Sequence, residues 1–236
     1  MRKETHKWRV RVAAAWQKND NPASRKQQKR SIRTQEKLLE AALEAFSENG
    51  FKGTSTRDIA ERAGVHHPLI TYHFKNKEEL WRAAADRVFR RFNAELRQAM
   101  ERNADKCAKT RMVAMIRAYV HYAAKHPALH KVIVQEASFS SGRLDWLTNT
   151  HLKPLFEAAV VHIEQLQELG VAPQGDPALL FNMIRVSSGG LLALSQEIKS
   201  TSNVDLEAPG AVDALADMIV KIFLPGEMPP KQASSA

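Results

Sequence analysis

Apolar residues along the chain recur every three or four positions, which is the spacing of helices that bury one face. Residues 32–48 show this spacing first, with Leu39, Ala42, Leu43 and Phe46 on one side. A longer segment, from about 77 to 107, has an apolar residue at every fourth position: Leu80, Ala84, Val88, Phe92 and Leu96. Runs of β-branched residues are few, and the helix formers Ala, Leu, Glu, Lys and Arg are abundant. The pattern predicts an all-α fold.

Between these two segments lies a dense series of helix start and stop signals. The signals are, in chain order: Ser55 with Asp58, Gly64, Pro68, and Asn76 with Glu79. Gly64 supplies the left-handed residue that ends a helix. Pro68 suits the first turn of the next helix, because the missing N–H has no helical partner there. Two short helices joined by a tight turn are the geometry of a helix-turn-helix reader of the DNA major groove.

The three-helix unit is expected to share one small core. Its predicted members are Leu39, Leu43, Phe46, Phe51, Ile59, Ala63, Val65, Ile70 and Phe74. The helix that starts at Lys77 is too long for this unit, so we expect it to connect to a second bundle. The further helices of that bundle are predicted over residues 111–125, 127–138, 144–169, 176–199 and 209–224. In the last helix, the residues predicted to be buried are Val212, Leu215, Ile219, Ile222 and Phe223.

The positive charge is concentrated at one end of the chain. Residues 1–33 hold eleven Lys and Arg residues and two acids, so their net charge of +9 equals that of the whole protein. The remaining residues are formally neutral. A basic arm beside a helix-turn-helix predicts contact with DNA phosphates. An Arg-rich targeting peptide, a mis-assigned start and a solubilising tail are the alternatives.

The composition of the chain indicates its cellular compartment and its relation to membranes. The single cysteine, Cys107, excludes an internal disulfide and favours a reducing compartment, the cytoplasm. No apolar run reaches the length of a membrane span; the best candidate, residues 183–198, contains Arg185 and Glu197. We therefore expect no membrane association. The first residues lack the uninterrupted apolar core of a secretory signal.

Residues 34–81 resemble the TetR family of bacterial transcriptional regulators. The matching positions are Phe46, Gly50, Phe51, Thr54, Ser55 or Thr56, Ile59, Ala60, Ala63, Gly64, Val65, Tyr72, His73, Phe74, Lys77, Glu78 and Leu80. Two positions depart from the family pattern. His66 stands where Ser or Thr commonly opens the recognition helix, and Thr71 replaces the first of two aromatic residues.

The resemblance implies a homodimeric repressor whose larger helical domain binds a small molecule that releases the DNA operator. The domains are then a basic flexible arm over residues 1–30, a helix-turn-helix DNA-binding domain over residues 31–76, and a helical ligand-binding and dimerisation domain over residues 77–225. Residues 226–236 have the composition of a disordered tail.

The DNA-contacting residues are expected in two groups. The exposed start and outer face of the second short helix should reach base edges through His66, His67, Leu69 and Thr71. Phosphate contacts, which fix position without reading sequence, are predicted for Thr54, Ser55, Thr56, Tyr72, His73, Lys77 and, in the basic arm, Arg33. Lys77 lies at a helix N-terminus, where the helix dipole also favours an anion.

A small-molecule pocket is predicted between the middle helices of the second bundle. Its candidate lining residues combine an apolar body with few polar groups: Tyr119, Tyr122, Phe139, Trp146, His151, Phe156, Asn182, Met183 and Arg185. Ordinary core packing is the alternative for each of them. Arg185 could pair with an acidic ligand or with a neighbouring Glu. His121, His126 and His130 lack metal-ligand spacing, so we expect no metal and no cofactor.

Four small residues, Ser187, Ser188, Gly189 and Gly190, stand in the middle of the helix predicted over residues 176–199. Small residues allow another segment to approach closely. The segment is either the last helix of a second subunit, in a symmetric dimer seam, or a neighbour within one subunit. A dimer would present two recognition helices about 34 Å apart, or a multiple, and so would bind a palindromic operator.

Two other classes of protein compete with a ligand-responsive regulator. A helical enzyme is one, but the chain has no Gly-rich phosphate loop, Cys/His metal spacing or nucleophile elbow. A ligand-independent, architectural DNA binder is the other. The basic arm suits that class, but a second domain of this size would then have no role.

Overall fold

The computed structural model describes residues 22–228, which form helices and no strands within that range. The helices are α1 (Pro22–Gly53), α2 (Thr56–Ala63), α3 (Pro68–His73), α4 (Lys77–Glu101), α5 (Ala108–Lys125), α6 (Ala128–Ala137), α7 (Gly142–Leu147), α8 (Lys153–Glu168), α9 (Pro177–Arg185), α10 (Leu191–Ala193), α11 (Ser195–Ser202) and α12 (Ala211–Phe223). Two π-helical turns, Thr148–Leu152 and Val186–Gly190, join α7 to α8 and α9 to α10. The predicted tail beyond residue 228 and the arm's residues 1–21 lie outside the described residues.

Helix α1 begins ten residues earlier than its predicted start at Ile32. Residues 22–30, predicted as part of the basic flexible arm, are helical. They have no apolar periodicity because the side chains of residues 25–30 are all exposed, and their Lys, Arg and Gln residues are good helix formers. Gly50 interrupts α1 with φ 68°, two residues after the predicted end of this helix at residue 48.

The buried face of α1 is rotated from the predicted one. Of the predicted residues, Ala42 and Phe46 are almost inaccessible but Leu39 and Leu43 are only partly buried. Leu38 and Ala45, which were not predicted, are almost inaccessible. The reason is that α1 packs against α4 and α6 of the second bundle as well as against α2. A helix with neighbours on several sides buries a wider stripe than its own small unit requires.

The helix-turn-helix forms as its capping signals predict. Ser55 accepts a hydrogen bond from the Asp58 N–H, and the Asp58 carboxylate accepts one from the Ser55 N–H. These hydrogen bonds to Ser55 lower the pKa of Asp58. Gly64 ends α2 in the left-handed conformation, with φ 64°. Asn76 caps α4 by accepting a hydrogen bond from the Glu79 N–H.

Helix α4 is the connector between the two halves of the chain. Its predicted apolar stripe is confirmed, since all five members are buried: Leu80, Ala84, Val88, Phe92 and Leu96. The helix ends at Glu101, earlier than predicted. One continuous cluster of buried apolar residues runs from α1 to α12. The DNA-reading unit and the second bundle therefore share a core.

The segment predicted as one helix over residues 176–199 is broken. It contains α9, a π-helical turn, α10 and α11, and it bends by 78° before Ser195. The π-helical turn coincides with Ser187 to Gly190. A Cβ atom on Gly189 would overlap the imidazole ring of His130 in α6. The small residues thus accommodate a neighbour within one subunit.

Helix α12 packs on α5 and the π-helical turn Val186–Gly190. The predicted burial of Leu215, Ile219 and Phe223 is confirmed, but Ile222 is exposed. Ile222 belongs to a row of exposed apolar side chains on α9, the turn after it and α12. The row contains Leu179, Met183, Val186, Met218 and Ile222. Apolar residues at helical spacing on adjoining elements, facing solvent, indicate an uncovered face.

Candidate nucleic-acid interface and helical-domain cavity

Helix α3 presents the residues predicted to meet bases. His66 and His67 precede it and are exposed, Thr71 lies on its outer face, and Leu69 is half-buried. The Thr71 hydroxyl donates to the Pro68 carbonyl, which leaves its oxygen free to accept and its methyl group exposed. Of the four, His67 and Thr71 line one concave surface beside α3.

His67 is positioned by the preceding helix. Its Nε2 lies 3.0 Å from the hydroxyl oxygen of Thr56, the first residue of α2. This contact holds the imidazole between α2 and α3 and leaves Nδ1 available to a base edge. Thr56 was predicted to contact a phosphate and His67 to contact a base. Because the two side chains touch, a phosphate held by the Thr56 hydroxyl would lie beside the His67 ring.

A concave surface of about 550 Å³ lies between the start of α2 and the end of α3. Its polar lining consists of Lys52, Thr54, Ser55, Thr56, His67, Thr71, Lys75, Asn76 and Lys77. Hydroxyls and cations around a concavity suit a phosphate group. Sequence reasoning missed Lys52 and Lys75. The signal was available, since each is an exposed Lys next to the end of a helix.

The side chain of Thr54 is buried, in contrast to its predicted phosphate contact. Its hydroxyl lies 3.0 Å from the Ala45 carbonyl oxygen and 2.8 Å from that of Gly50. A hydroxyl has one proton, which these two acceptors share. Thr54 closes the break in α1 at Gly50, so its hydroxyl stabilises the domain and does not reach the surface.

Lys77 has two internal partners. Its ammonium donates to the carbonyl oxygens of Phe51 (2.8 Å) and Thr54 (2.9 Å), and it lies 4.5 Å from the centroid of the Phe51 ring. An ammonium has three protons, so one remains for a phosphate. The internal contacts, which the sequence did not reveal, are thus compatible with the predicted phosphate contact.

Tyr72 and His73 lie at the end of α3. Tyr72 is 76% exposed, and its ring packs edge-on against His73. His73 is half-buried, and burial lowers its pKa. The exposed Tyr72 hydroxyl is free to reach the DNA backbone. A neutral His73 imidazole would contribute a hydrogen bond and no charge.

The first turns of α1 carry a basic face. Arg25, Lys26, Lys29, Arg30 and Arg33 are exposed and fall within less than half of the helix circumference. The predicted contact residue Arg33 is the last member of this row. Part of the basic arm is therefore a rigid helical extension of the DNA-reading unit.

Phe51 joins the DNA-reading unit to the second bundle. Its ring lies between the Lys77 ammonium and the Arg143 guanidinium, which is 3.8 Å from the ring centroid. Arg143 in turn donates to the buried carboxylate of Glu136 (3.0 Å). Close by, the Gln135 side chain donates to the Ser47 carbonyl (3.0 Å). We call Lys77, Phe51, Arg143 and Glu136 the junction cluster.

A cavity of about 380 Å³ lies between α4, α5 and α8. Its walls are mostly apolar: Leu96, Met100, Met115, Pro154, Leu155, Ala158 and Ala159. Its polar lining residues are Asn93, Arg97, Glu101 and His162. An apolar enclosure with few polar groups is typical of small-molecule sites. We call it the α4–α8 cavity.

The predicted ligand-binding residues fall into four places. Tyr119 and Arg185 line a small inner gap that shares four walls with the α4–α8 cavity, and Phe156 packs on Phe181, which also lines that gap. Tyr122 is buried, and its hydroxyl donates to the Val88 carbonyl. The inner gap is the first place and the Tyr122 contact with Val88 is the second. The third place is an aromatic cluster, and the fourth is the exposed surface. Trp146 and His151 pack with Trp81 and Phe89, whereas Phe139, Asn182 and Met183 are exposed. Sequence periodicity identified the bundle interior but not which helices leave a space.

The three histidines weighed as a metal cluster lie apart. His121 pairs with Asp213, and His126 packs on Tyr122. His130 is buried with its Nε2 at 2.9 Å from the Tyr119 hydroxyl, and burial lowers its pKa to about 4. Within residues 22–228, no group of three His, Cys, Asp or Glu side chains could hold a metal ion.

An exposed recognition helix, a phosphate-sized concavity beside it and a separate helical bundle define a DNA-binding regulator. Residues 38–84 match the family model described as bacterial regulatory proteins, tetR family. Residues 38–84 therefore form a DNA-binding domain of the TetR family of transcriptional regulators.

The likeness extends beyond the DNA-reading unit. The chain is 26% identical over 193 residues to the HTH-type transcriptional regulator RutR of Escherichia coli K12. The aligned residues cover 81% of this chain and 89% of RutR. Its fold matches a Clostridium perfringens putative fatty acid metabolism regulator with a TM-score of 0.67 at 19% identity, covering 82% and 99% of the two chains. It also matches AibR, solved with isovaleryl coenzyme A and operator DNA, with a TM-score of 0.64 at 17% identity, covering 82% and 100%.

No individual helix within residues 22–228 has both the length and the apolar character needed to span a membrane. The bent pair Pro177–Ala193 and Ser195–Ser202 has that length and apolar character only when its two parts are taken together.

Proposed function

We propose that the protein is a repressor that binds a palindromic operator as a homodimer and leaves it when a small molecule occupies the α4–α8 cavity. One observation carries the proposal. Helix α4 begins beside the DNA-reading surface at Lys77 and forms a wall of the cavity at Asn93, Leu96 and Met100. A single 25-residue helix, about 37 Å long, thus joins the two places.

In this proposal, residues 31–76 form the DNA-binding domain and residues 77–225 the ligand-binding and dimerisation domain. His66, His67, Leu69 and Thr71 read base edges. Ser55, Thr56, Tyr72, His73 and Lys77 hold phosphates around the concave surface, together with Lys52 and Lys75. Arg33 and the basic face of α1 add phosphate contacts outside the motif. The protein acts in the cytoplasm, where its operator is accessible.

The dimer forms through the exposed apolar row on α9 and α12. A twofold axis through this row would pair each helix with its symmetry mate, which is the arrangement of a self-complementary interface. Burial of these side chains supplies the hydrophobic driving force. The two α3 helices would then lie about one DNA turn apart, or a multiple, so the operator would be a palindrome.

The effector acts by preferring one conformation of the dimer. A ligand that binds more tightly when the two α3 helices are mis-spaced shifts the population away from DNA. A tenfold loss of operator affinity requires about 1.4 kcal/mol of differential binding. The fold match to AibR, which was solved with both a ligand and operator DNA, supports such a two-site arrangement.

The test is binding of the purified protein to the region upstream of its own gene, in excess competitor DNA, followed by footprinting. We expect protection of one palindrome whose half-sites are a whole number of helical turns apart. Binding no tighter than to the competitor would overturn the proposal and favour an architectural DNA binder. Retention of the footprint with every ligand that binds the protein would contradict the effector-release part alone.

A further inference from the structure

Next to the α4–α8 cavity lies a gap, narrower than a water molecule, that contains the unpaired cation Arg111. The gap is lined by Met100, Ala108, Arg111, Met112, His162 and Gln165, and it shares Met100 and His162 with the cavity. The Nε atom of Arg111 is inaccessible to solvent and has no hydrogen-bond partner. Within residues 22–228, no carboxylate lies within ion-pair distance of Arg111.

The burial of the unpaired Arg111 Nε atom is unfavourable unless a bound group supplies an acceptor. A guanidinium is always charged, and burying its donors without acceptors has a desolvation penalty. Three other Arg residues that link helices have acidic partners, as Arg62 has in Glu48, Arg117 in Asp217 and Arg143 in Glu136. Arg111 therefore lacks the counterion that its counterparts have.

The surroundings of Arg111 favour an anion over a second neutral group. His162 lies beside it, and burial together with the charge of Arg111 lowers the pKa of that imidazole. On the cavity side, the Oδ1 atom of Asn93 is also buried and unpaired, so it can accept a hydrogen bond from a bound molecule. Between these polar points the walls are apolar side chains of α4, α5 and α8.

We propose that the effector is an organic anion whose acidic group pairs with Arg111 beside His162 and whose apolar body fills the α4–α8 cavity. A carboxylate and a phosphate monoester share the chemistry that a guanidinium recognises, since both offer two acceptor oxygens to its fork of N–H donors. The volume of about 380 Å³ is within the range of metabolite-sized sites. The proposal rests on the cavity being the effector site of the proposed repressor.

The test uses full-length protein and isothermal titration calorimetry. The probes are straight-chain carboxylates from butanoate to dodecanoate, the amide of each acid, and the alkyl phosphates of matching length. We expect carboxylates or alkyl phosphates to bind and the amides to bind at least tenfold more weakly, because the amides lack the charge. The phosphate and carboxylate arms identify the acidic group.

Three variants locate the anion. Arg111→Gln should weaken anion binding by about tenfold to a hundredfold, the range for a lost charged hydrogen bond, and Arg111→Lys should retain part of the affinity. Arg102→Gln is the matched control, since Arg102 is exposed and outside the cavity lining. Circular dichroism melting curves show whether each variant folds.

The outcomes separate this inference from the proposed function. Amides that bind as tightly as acids, an affinity that depends on Arg97 and not on Arg111, or no binding by any probe would each overturn the organic-anion proposal. Anion binding that requires Arg111 but leaves operator affinity unchanged would support the ligand class and contradict effector release.

Discussion

Lys77 has internal contacts at a position where we also predict a phosphate contact. Two of its protons are held by the Phe51 and Thr54 carbonyls, and its charge lies over the Phe51 ring. We expect Lys77→Ala to lower the free energy of unfolding by about 1–3 kcal/mol, the range for hydrogen bonds from a charged donor. It should also reduce the salt dependence of DNA binding by about one unit.

Lys75→Ala is the matched control for this prediction, because Lys75 is exposed on the same concave surface. It should reduce the salt slope by about one unit without affecting stability. Urea denaturation measures stability, and operator titrations at several salt concentrations measure the slope. Equal stability of the two variants would show that the internal contacts of Lys77 contribute nothing.

His67 is the residue at which base recognition is most easily tested. Its ring is held by Thr56, so Nδ1 has a defined direction. We expect His67→Ala to relax base preference at one position in each half-site by about 1–3 kcal/mol, the range for a direct base contact. Competition binding with every single-base variant of the operator measures this. A uniform loss across all variants would instead assign His67 to phosphate.

His130 predicts a pH dependence of stability. Burial holds its pKa at about 4, below the unfolded value of about 6.5, so the folded state binds fewer protons. Its contribution is fully present above the unfolded pKa and is lost as pH falls towards the folded one. Between pH 7 and pH 5 this loss is about 2 kcal/mol. Urea denaturation should show a smaller loss for His130→Gln; equal losses in both proteins would be inconsistent with the assignment.

At the scale of the helices, some sequence signals were sufficient to locate an element or its buried face. Local signals located α2, α3 and the start of α4. Side-chain caps within four positions mark the starts of α2 and α4, and Pro68 marks the start of α3. The buried stripe of α4 followed from its spacing alone. These predictions needed no knowledge of distant contacts.

Other features depended on contacts that are distant in sequence. Gly189 is small because His130, 59 positions earlier, occupies the adjoining space. Ile222 has the spacing of a core residue but faces out, since periodicity marks an apolar face without saying what covers it. Asn93 and His162 of the cavity and Arg111 of the adjoining gap were not predicted, because a void is a property of three helices together.

The exposed apolar row on α9 and α12 is testable as an element. We expect Met183→Glu and Ile222→Glu each to convert the dimer to a monomer at micromolar concentration, because symmetry places every introduced charge in the apolar seam twice. Lys221→Glu is the control, since Lys221 is exposed on the same helix outside this row. Light scattering after size-exclusion chromatography reports the mass. Dimers that persist in both variants would place the interface elsewhere.

At the scale of the whole molecule, a single core connects the surface that meets DNA with the cavity beneath it. The connector α4 contributes to both, and α1 packs on α6 through the Gln135 contact to Ser47. A change in the separation of α4 and α8 therefore has a continuous packed route to α3. Rigid helices with shared side-chain contacts transmit such shifts without local unfolding.

The junction cluster has a consequence for protein engineering. Joining residues 22–76 to the sensor half of another regulator would leave Phe51 without Arg143 on one side and without Lys77 on the other. A chimera cut at this boundary should be poorly folded, even though it keeps every base-reading residue. A transplantable module of this chain must include the start of α4, with Lys77, and the Glu136–Arg143 pair.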